Sequence, residues 1–191
     1  MEKFQKVTGI VAPFERSNVD TDQIIPAVFL KRVTKTGYDD ALFYHWRKDD
    51  NFVLNQPEYQ NAQILIAGPD FGTGSSREHA ALAPRFLGLQ VALVKDFARI
   101  HWQNLVNFGI LPITFVDETD YDTLEHGDVL VLENIHRNIQ EGHTFTIEIK
   151  GKNQTIDVQH ALSHRQIEMM LHGGVINWVK EKSKEDLHDG T

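Results

Sequence analysis

Cysteine is absent from all 191 residues. No disulfide can staple the fold, no thiolate can serve as nucleophile, and this chain can hold no zinc ion or iron–sulfur cluster through sulfur. A basic surplus is absent as well. Nineteen Lys and Arg stand against 27 Asp and Glu, a formal net charge of −8, which argues against nucleic acid or an anionic membrane as the partner. No apolar run approaches the roughly 18–20 residues that span a bilayer, and residues 1–6 lead into no signal-peptide core. A soluble, cytoplasmic protein is expected. Repeats, low-complexity tracts and long linkers are also missing. With 41% hydrophobic residues, the chain is read as one domain over 1–191 that ends in a charged tail over about 181–191. There is no Gly-x-x-x-x-Gly-Lys-Ser/Thr run, Gly72-x-Gly74 is not completed by a glycine three places on, and the Gly-x-Ser-x-Gly elbow is missing. Those absences weaken a phosphate cradle and an esterase.

What is present is concentrated in residues 70–80, Asp70-Phe71-Gly72-Thr73-Gly74-Ser75-Ser76-Arg77-Glu78-His79-Ala80. The apolar run Ile64-Leu65-Ile66-Ala67 reads as a strand that feeds a tight loop, where two glycines permit positive φ and close approach of a ligand to the main chain. Ser75-x-x-Glu78 has capping-box spacing, so a helix is expected to start there. Its free N–H groups, two hydroxyls and one guanidinium would make a site for a carboxylate or phosphate. From spacing alone the segment serves equally as an ordinary capped strand-to-helix connection.

The remainder reads as mixed α/β. Strand-like runs occur at 7–12, 64–67, 91–94, 112–116, 129–132, 144–149 and 154–158. Helical stretches lie near 76–87 and 98–107, and residues 27–54 suggest loops and short helices. Pro84 is expected to kink or end the first helix. Ser163-x-x-Gln166 opens a further helix that should stop at Gly173-Gly174. Asp20-Thr21-Asp22 suits a turn better than half a metal site. His160 and His164 flank the expected cap at Ser163, so no metal ligand is assigned. His79 is expected to pack or hydrogen-bond. Residues 97–102, Phe-Ala-Arg-Ile-His-Trp, are read mainly as packing, with Arg99 able to face a cleft.

The segment 72–81, together with Pro84-Arg85, residues 97–100 and Asn107-x-Gly109-Ile110-Leu111-Pro112, resembles the swivelling domain of the aconitase superfamily. Asn18-Val19-Asp20-Thr21-Asp22-Gln23-Ile24-Ile25-Pro26 resembles that family's second signature. With Phe29-Leu30-Lys31-Arg32 following, the chain is most similar to the small-subunit family of the bacterial isopropylmalate dehydratases, over residues 4–180. The resemblance implies an α/β fold of three-layer β/β/α architecture. It also implies interconversion of 2- and 3-isopropylmalate by dehydration and rehydration in leucine biosynthesis, as one half of a heterodimer. The [4Fe–4S] cluster of that reaction would sit on a large subunit, since this chain has no cysteine to ligate it. By the same resemblance Ser75 is the catalytic base, Arg77 clamps a substrate carboxylate with help from Ser76, and Asp22 holds an arginine or serine in place. Phe29 and Leu30 suit an isopropyl group, and Lys31 could face the acidic substrate; equally, the three could belong to the core or a subunit interface. Homoaconitase and citraconate or methylmalate hydratase small subunits share the frame and differ in this loop. A non-catalytic scaffold partner would keep the fold without needing Ser75, Ser76 and Arg77.

Overall fold

The computed structural model describes residues 7–14, 17–32, 38, 40–59, 61–74, 77–125 and 127–188. Four strands lie side by side and parallel: β1 (Val7–Phe14), β2 (Ile64–Ala67), β3 (Val91–Val94) and β4 (Leu111–Phe115). Their register aligns Val11 with Ile64, Ile64 with Val91 and Val91 with Leu111. Three antiparallel strands complete the sheet: β5 (Val129–Leu132), β6 (Thr144–Ile149) and β7 (Gln154–Gln159). Because β7 pairs with β4 and β5 with β1, the sheet closes into a barrel in the order β1-β2-β3-β4-β7-β6-β5.

Burial separates the two halves. All four residues of β2 and of β3 are buried, as a parallel strand covered on both faces requires. Along β6 exposed and buried residues alternate, so one face is wet. Ile64, Ile66, Leu93 and Ile113 point into the barrel, where they meet Leu130, Ile147 and Val158 of the antiparallel half. Leu65, Ala67 and Val94 point outward to a second core with Ile24, Leu42 and Phe43, while Ala92 joins Leu105 and Ile110. Antiparallel strands, parallel strands and an outer helical layer together form the expected β/β/α arrangement.

Helices α1 (Thr21–Ile24), α2 (His79–Phe86), α3 (Arg99–Asn107), α4 (Ile135–Glu141), α5 (His164–Leu171) and α6 (Val175–His188) complete the regular structure, together with short 3-10 turns that include Ala27–Lys31. Asp20 starts α1 with a full capping box: its carboxylate accepts from the Gln23 N–H (2.7 Å), and Gln23 Oε1 accepts from the Asp20 N–H (3.0 Å). Turn chemistry therefore accounts for Asp20, as its sequence context suggests. Ser163 and Gln166 cap α5 reciprocally, and that helix ends ahead of Gly173. The expected box at Ser75 and Glu78 does not start α2. Glu78 itself occupies the N-cap in helical conformation without a side-chain bond; Ser75 and Ser76 lie outside the described residues. A turn joining the Ala80 N–H to the Arg77 carbonyl (3.1 Å) precedes the helix, which is shorter than its pattern suggests. Pro84 lies inside α2, and the helix ends two residues later. Residues 181–188, expected in a charged tail, continue α6. No helix among the described residues is long and apolar enough to cross a membrane.

Gly109, between α3 and β4, has φ +72°, and a β-carbon there would lie 2.5 Å from the Gly173 carbonyl oxygen. Main chain on both sides leaves nothing flexible to yield. Gly109→Ala is expected to destabilise the fold by about 1–3 kcal/mol from backbone conformation alone, with more from the overlap. The denaturant midpoint should fall at unchanged m-value.

Candidate active site

The loops that follow β2 and β3 leave the carboxyl ends of adjacent parallel strands, where α/β sheets place their ligand crevices. Main-chain bonds sew them together. The Phe71 N–H donates to the Asp96 carbonyl (3.1 Å), and the Ala98 N–H to the Phe71 carbonyl (3.0 Å). A third segment joins them: the Gly72 N–H donates to the Val19 carbonyl (2.7 Å), and the Thr21 N–H to the Thr73 carbonyl (2.9 Å). The two signature stretches, 18–26 and 70–80, thereby become one structure although they are some fifty residues apart in sequence.

Between them opens a cleft of about 860 Å³, bordered by Thr21, Gly72, Gly74 and Arg77, by the first turns of α3 and by Gln166 of α5. That volume suits a small organic ligand. Arg77 Nη1 donates to Asp22 Oδ1 and, at 3.4 Å, to the Ile25 carbonyl. Its side chain is 17% exposed, against 61% for Asp22. An ion pair this wet adds little stability; its effect is to fix the direction of the guanidinium. The structure thus brings Asp22 and Arg77 together. Ser75 and Ser76 lie outside the described residues, but their neighbours Gly74 and Arg77 both line the cleft.

Phe29, Leu30 and Lys31 occupy the 3-10 turn Ala27–Lys31 and are not among the residues bordering this cleft. The Phe29 ring meets Tyr44 edge-on at 4.9 Å, with the Arg32 guanidinium 4.6 Å from its centre. Arg32 in turn makes a two-pronged pair with Asp40 (2.7 and 2.8 Å) and holds that carboxyl below its usual range. Phe29 and Leu30 pack against the outer core, and Lys31 is exposed. His79 packs on Tyr38, with ring centres 5.4 Å apart. His160 accepts from the Leu162 N–H at Nδ1 (3.2 Å) and donates from Nε2 to the Gly142 carbonyl (2.8 Å). Both of its nitrogens are engaged in pinning the chain, and burial pushes its pKa down. Among the described residues no group of three His, Asp or Glu is placed to hold a metal ion.

One residue of the site is not singled out by the sequence. His101, on α3, is 2% exposed and packs edge-on to Phe71 with ring centres 5.3 Å apart. Its imidazole fills the space beside Gly72, where a β-carbon would fall 2.2 Å from Cγ. The glycine expected to admit a ligand admits a ring. Neither ring nitrogen has a hydrogen-bond partner. The available signal was a polar residue inside an otherwise packing-type run, Phe97 to Trp102. Arg99, in the same run read mainly as packing, borders the cleft and also a second cavity of about 480 Å³.

Burial alone lowers the His101 pKa from 6.5 to about 4. Its neutral form is favoured in the fold, so stability is complete above pH 6.5 and declines as pH falls toward 4, where protonation of the unfolded chain has drawn off up to about 3 kcal/mol. Urea unfolding of wild type and His101→Leu at pH 7 and pH 4.5 measures this directly. The wild type should lose more stability on acidification than the variant; parallel losses would mean that His101 is not held neutral.

The aconitase C-terminal domain family model matches residues 1–118. The 3-isopropylmalate dehydratase small subunit of Leifsonia xyli subsp. xyli is 49% identical over 175 residues, covering 88% of this chain and 83% of that protein. Its counterpart from Bifidobacterium animalis subsp. lactis is 48% identical over 159 residues, 82% of this chain and 65% of that protein. Among solved structures, a 3-isopropylmalate dehydratase from Methanocaldococcus jannaschii superposes with a TM-score of 0.77 at 27% identity, covering 97% of this chain and 99% of that one. With both signatures meeting at one cleft, a family model over more than half its length and relatives near 50% identity, the chain belongs to the aconitase C-terminal domain family, in the branch of the 3-isopropylmalate dehydratase small subunits.

Proposed function

We propose that this chain works as one domain and as the small subunit of a two-chain hydro-lyase, 3-isopropylmalate dehydratase. It would interconvert 2- and 3-isopropylmalate in leucine biosynthesis, in the cytoplasm. The observation that carries the reading is Arg77, aimed by Asp22 and the Ile25 carbonyl into a cleft lined by the Gly72–Gly74 turn. A guanidinium with free N–H groups meets a carboxylate bidentately, which an ammonium cannot do. The acidic net charge and the lack of a long apolar helix among the described residues agree with a small soluble substrate rather than a polymer or a membrane.

The chain has no cysteine, and its described residues offer no alternative metal cluster. Ligation of a [4Fe–4S] cluster therefore falls to a large-subunit partner. On this chain, Arg77 holds one carboxylate and Ser76 assists. Ser75 Oγ, held as the alkoxide in the assembled site, takes the proton from the carbon next to a carboxylate as hydroxide leaves the neighbouring carbon, and the resulting hydroxyl returns that proton when water adds back in the opposite sense. A serine hydroxyl is a poor base. A charge-assisted hydrogen bond contributes only about 1.5–3 kcal/mol, so the remaining field must come from the partner. Phe29 and Leu30 are proposed for the isopropyl group and Lys31 for the acidic end of the substrate. Their turn begins two residues after Ile25, which anchors Arg77, and the partner would complete that wall.

The isolated chain is expected to be folded, colourless and inactive, and to gain turnover of 2-isopropylmalate only on anaerobic assembly with the large subunit. Turnover by the metal-free single chain would refute this division. Within the assembled enzyme, Ser75→Gly should reduce kcat by roughly 10²–10⁴, while Arg77→Lys should raise KM more than it lowers kcat. Near wild-type kcat in Ser75→Gly would move the base to the partner chain.

A further inference from the structure

The cleft holds more anion-binding capacity than one carboxylate uses. Helix α3 opens on Ala98, which has no side-chain group to cap it, and its first intrahelical bond runs from the Trp102 N–H to the Ala98 carbonyl (3.0 Å). The N–H groups of Arg99, Ile100 and His101 are thereby left without intrahelical partners, at the positive end of the helix. Arg99 borders the same cleft, and no ion pair engages it among the described residues. His101, 2% exposed, borders it too and carries two unpartnered ring nitrogens. Buried polar groups are almost always hydrogen-bonded, so a wholly unpaired imidazole needs a reason. A leucine would fill much the same space without that penalty.

The two glutamines on this wall are already engaged. Gln166 Nε2 donates to Gln103 Oε1 (3.0 Å), Gln103 Nε2 donates to Asn107 Oδ1 (3.2 Å), and Gln166 Oε1 accepts from the Ser163 N–H (2.8 Å). They brace α3 against α5. Arg77 has one nitrogen committed to Asp22 and Ile25, which leaves its fork enough donors for one carboxylate. A dicarboxylate brings a second negative charge, and enclosing that charge without a counter-charge would be strongly unfavourable.

We propose that the first turn of α3, with the Arg99 guanidinium and the His101 imidazole, is a second carboxylate subsite that seats the far carboxylate of a dicarboxylate substrate. The proposal rests on the reading that the substrate has two carboxylates. Free helical N–H groups and Arg99 supply the charge complement, and a neutral imidazole supplies an N–H donor. His101 gains on ligand binding the partner it lacks in the free chain.

Steady-state kinetics of the assembled two-subunit enzyme with 2-isopropylmalate provide the test, using Arg99→Gln, His101→Leu and His101→Gln. Loss of one hydrogen bond to a charged group corresponds to roughly a tenfold to hundredfold rise in KM. That rise is expected in Arg99→Gln and His101→Leu with much smaller changes in kcat, and His101→Gln, which keeps an N–H donor, should recover part of it. The His101→Leu chain should melt no lower than wild type, because the nitrogens it removes had no partner. Wild-type KM in both Arg99→Gln and His101→Leu overturns the subsite. So does a raised KM in His101→Leu that comes with a lowered melting temperature and no recovery in His101→Gln, since that pattern is packing. If the wild-type assembly leaves 2-isopropylmalate unchanged, the functional reading fails separately. The subsite is then decided by titrating the full chain with malate while following the His101 ring nitrogens by NMR: a shift that Arg99→Gln abolishes sustains it, and no shift overturns it.

Discussion

The α-carbon of Gly72 rests against the imidazole of His101 so closely that a β-carbon would lie 2.2–2.4 Å from three of its side-chain atoms. Position 72 also sits at φ +86°, which L side chains rarely adopt. The contact decides the local architecture. With Gly72 seated on the ring, Phe71 lies between Asp96 and Ala98 and hydrogen-bonds to both, and the Gly72 N–H reaches Val19. Those bonds bring the start of α3 beside the turn that leads to Arg77. Any side chain at position 72 would push the loop off α3 and open the wall of the cleft, far more than a single lost contact suggests, because interiors this tightly packed transmit strain.

Division of labour between the two halves of the barrel explains why the site lies where it does. The parallel strands β2, β3 and β4 are covered on both faces, so their segments carry almost nothing but apolar side chains. Polar chemistry can only appear where those strands end. The antiparallel strands have a solvent face and spend their polar residues there in exposed pairs, such as Thr146 with Asp157 (2.8 Å). The groups that border the cleft therefore come from the loops and helix starts at one end of the parallel half, or from the α1 segment stitched to it.

Much of this was legible from pattern, and the misses have physical causes. The runs 64–67, 91–94, 129–132 and 144–149 are strands with the expected limits because their burial patterns, continuous or alternating, are of the kind period-two reading detects. Helix α4 escaped because seven residues anchored by Ile135 and Ile139 are too short for a helical period to stand out. Ser75-x-x-Glu78 has the spacing of a cap, yet α2 begins at His79 with Glu78 itself at the N-cap, because spacing alone does not fix which residue turns the chain into the helix; nor does it report that Arg77 is held from outside by Asp22. That pair joins residues 55 apart in sequence, and residue identity proposed it only through the family resemblance. His101 was out of reach for a related reason: its importance lies in what faces it, a glycine 29 positions earlier.

The lack of cysteine separates folding from chemistry. The barrel core and the outer core are filled by this chain's own side chains, with Ile64, Ile66, Leu42 and Phe43 all fully buried. The chemistry, on the proposed function, waits for a partner. Arg77 and the start of α3 form one wall and offer only donors and cations, which bind a dianion but cannot expel hydroxide from it. Ile100, 53% exposed on the first turn of α3, lies on the border of that cleft. A lone exposed apolar residue is ordinary, but here it sits where an opposing wall would come down. A partner closing over this face would remove water from the arginines at the moment their carboxylates arrive, and the same ion pairs that are weak in the open cleft would strengthen as the local dielectric falls. On the proposed function, assembly would then set substrate affinity and activity together, because the charges proposed to bind the substrate lie on this chain and the enclosure that would make them effective comes from the other.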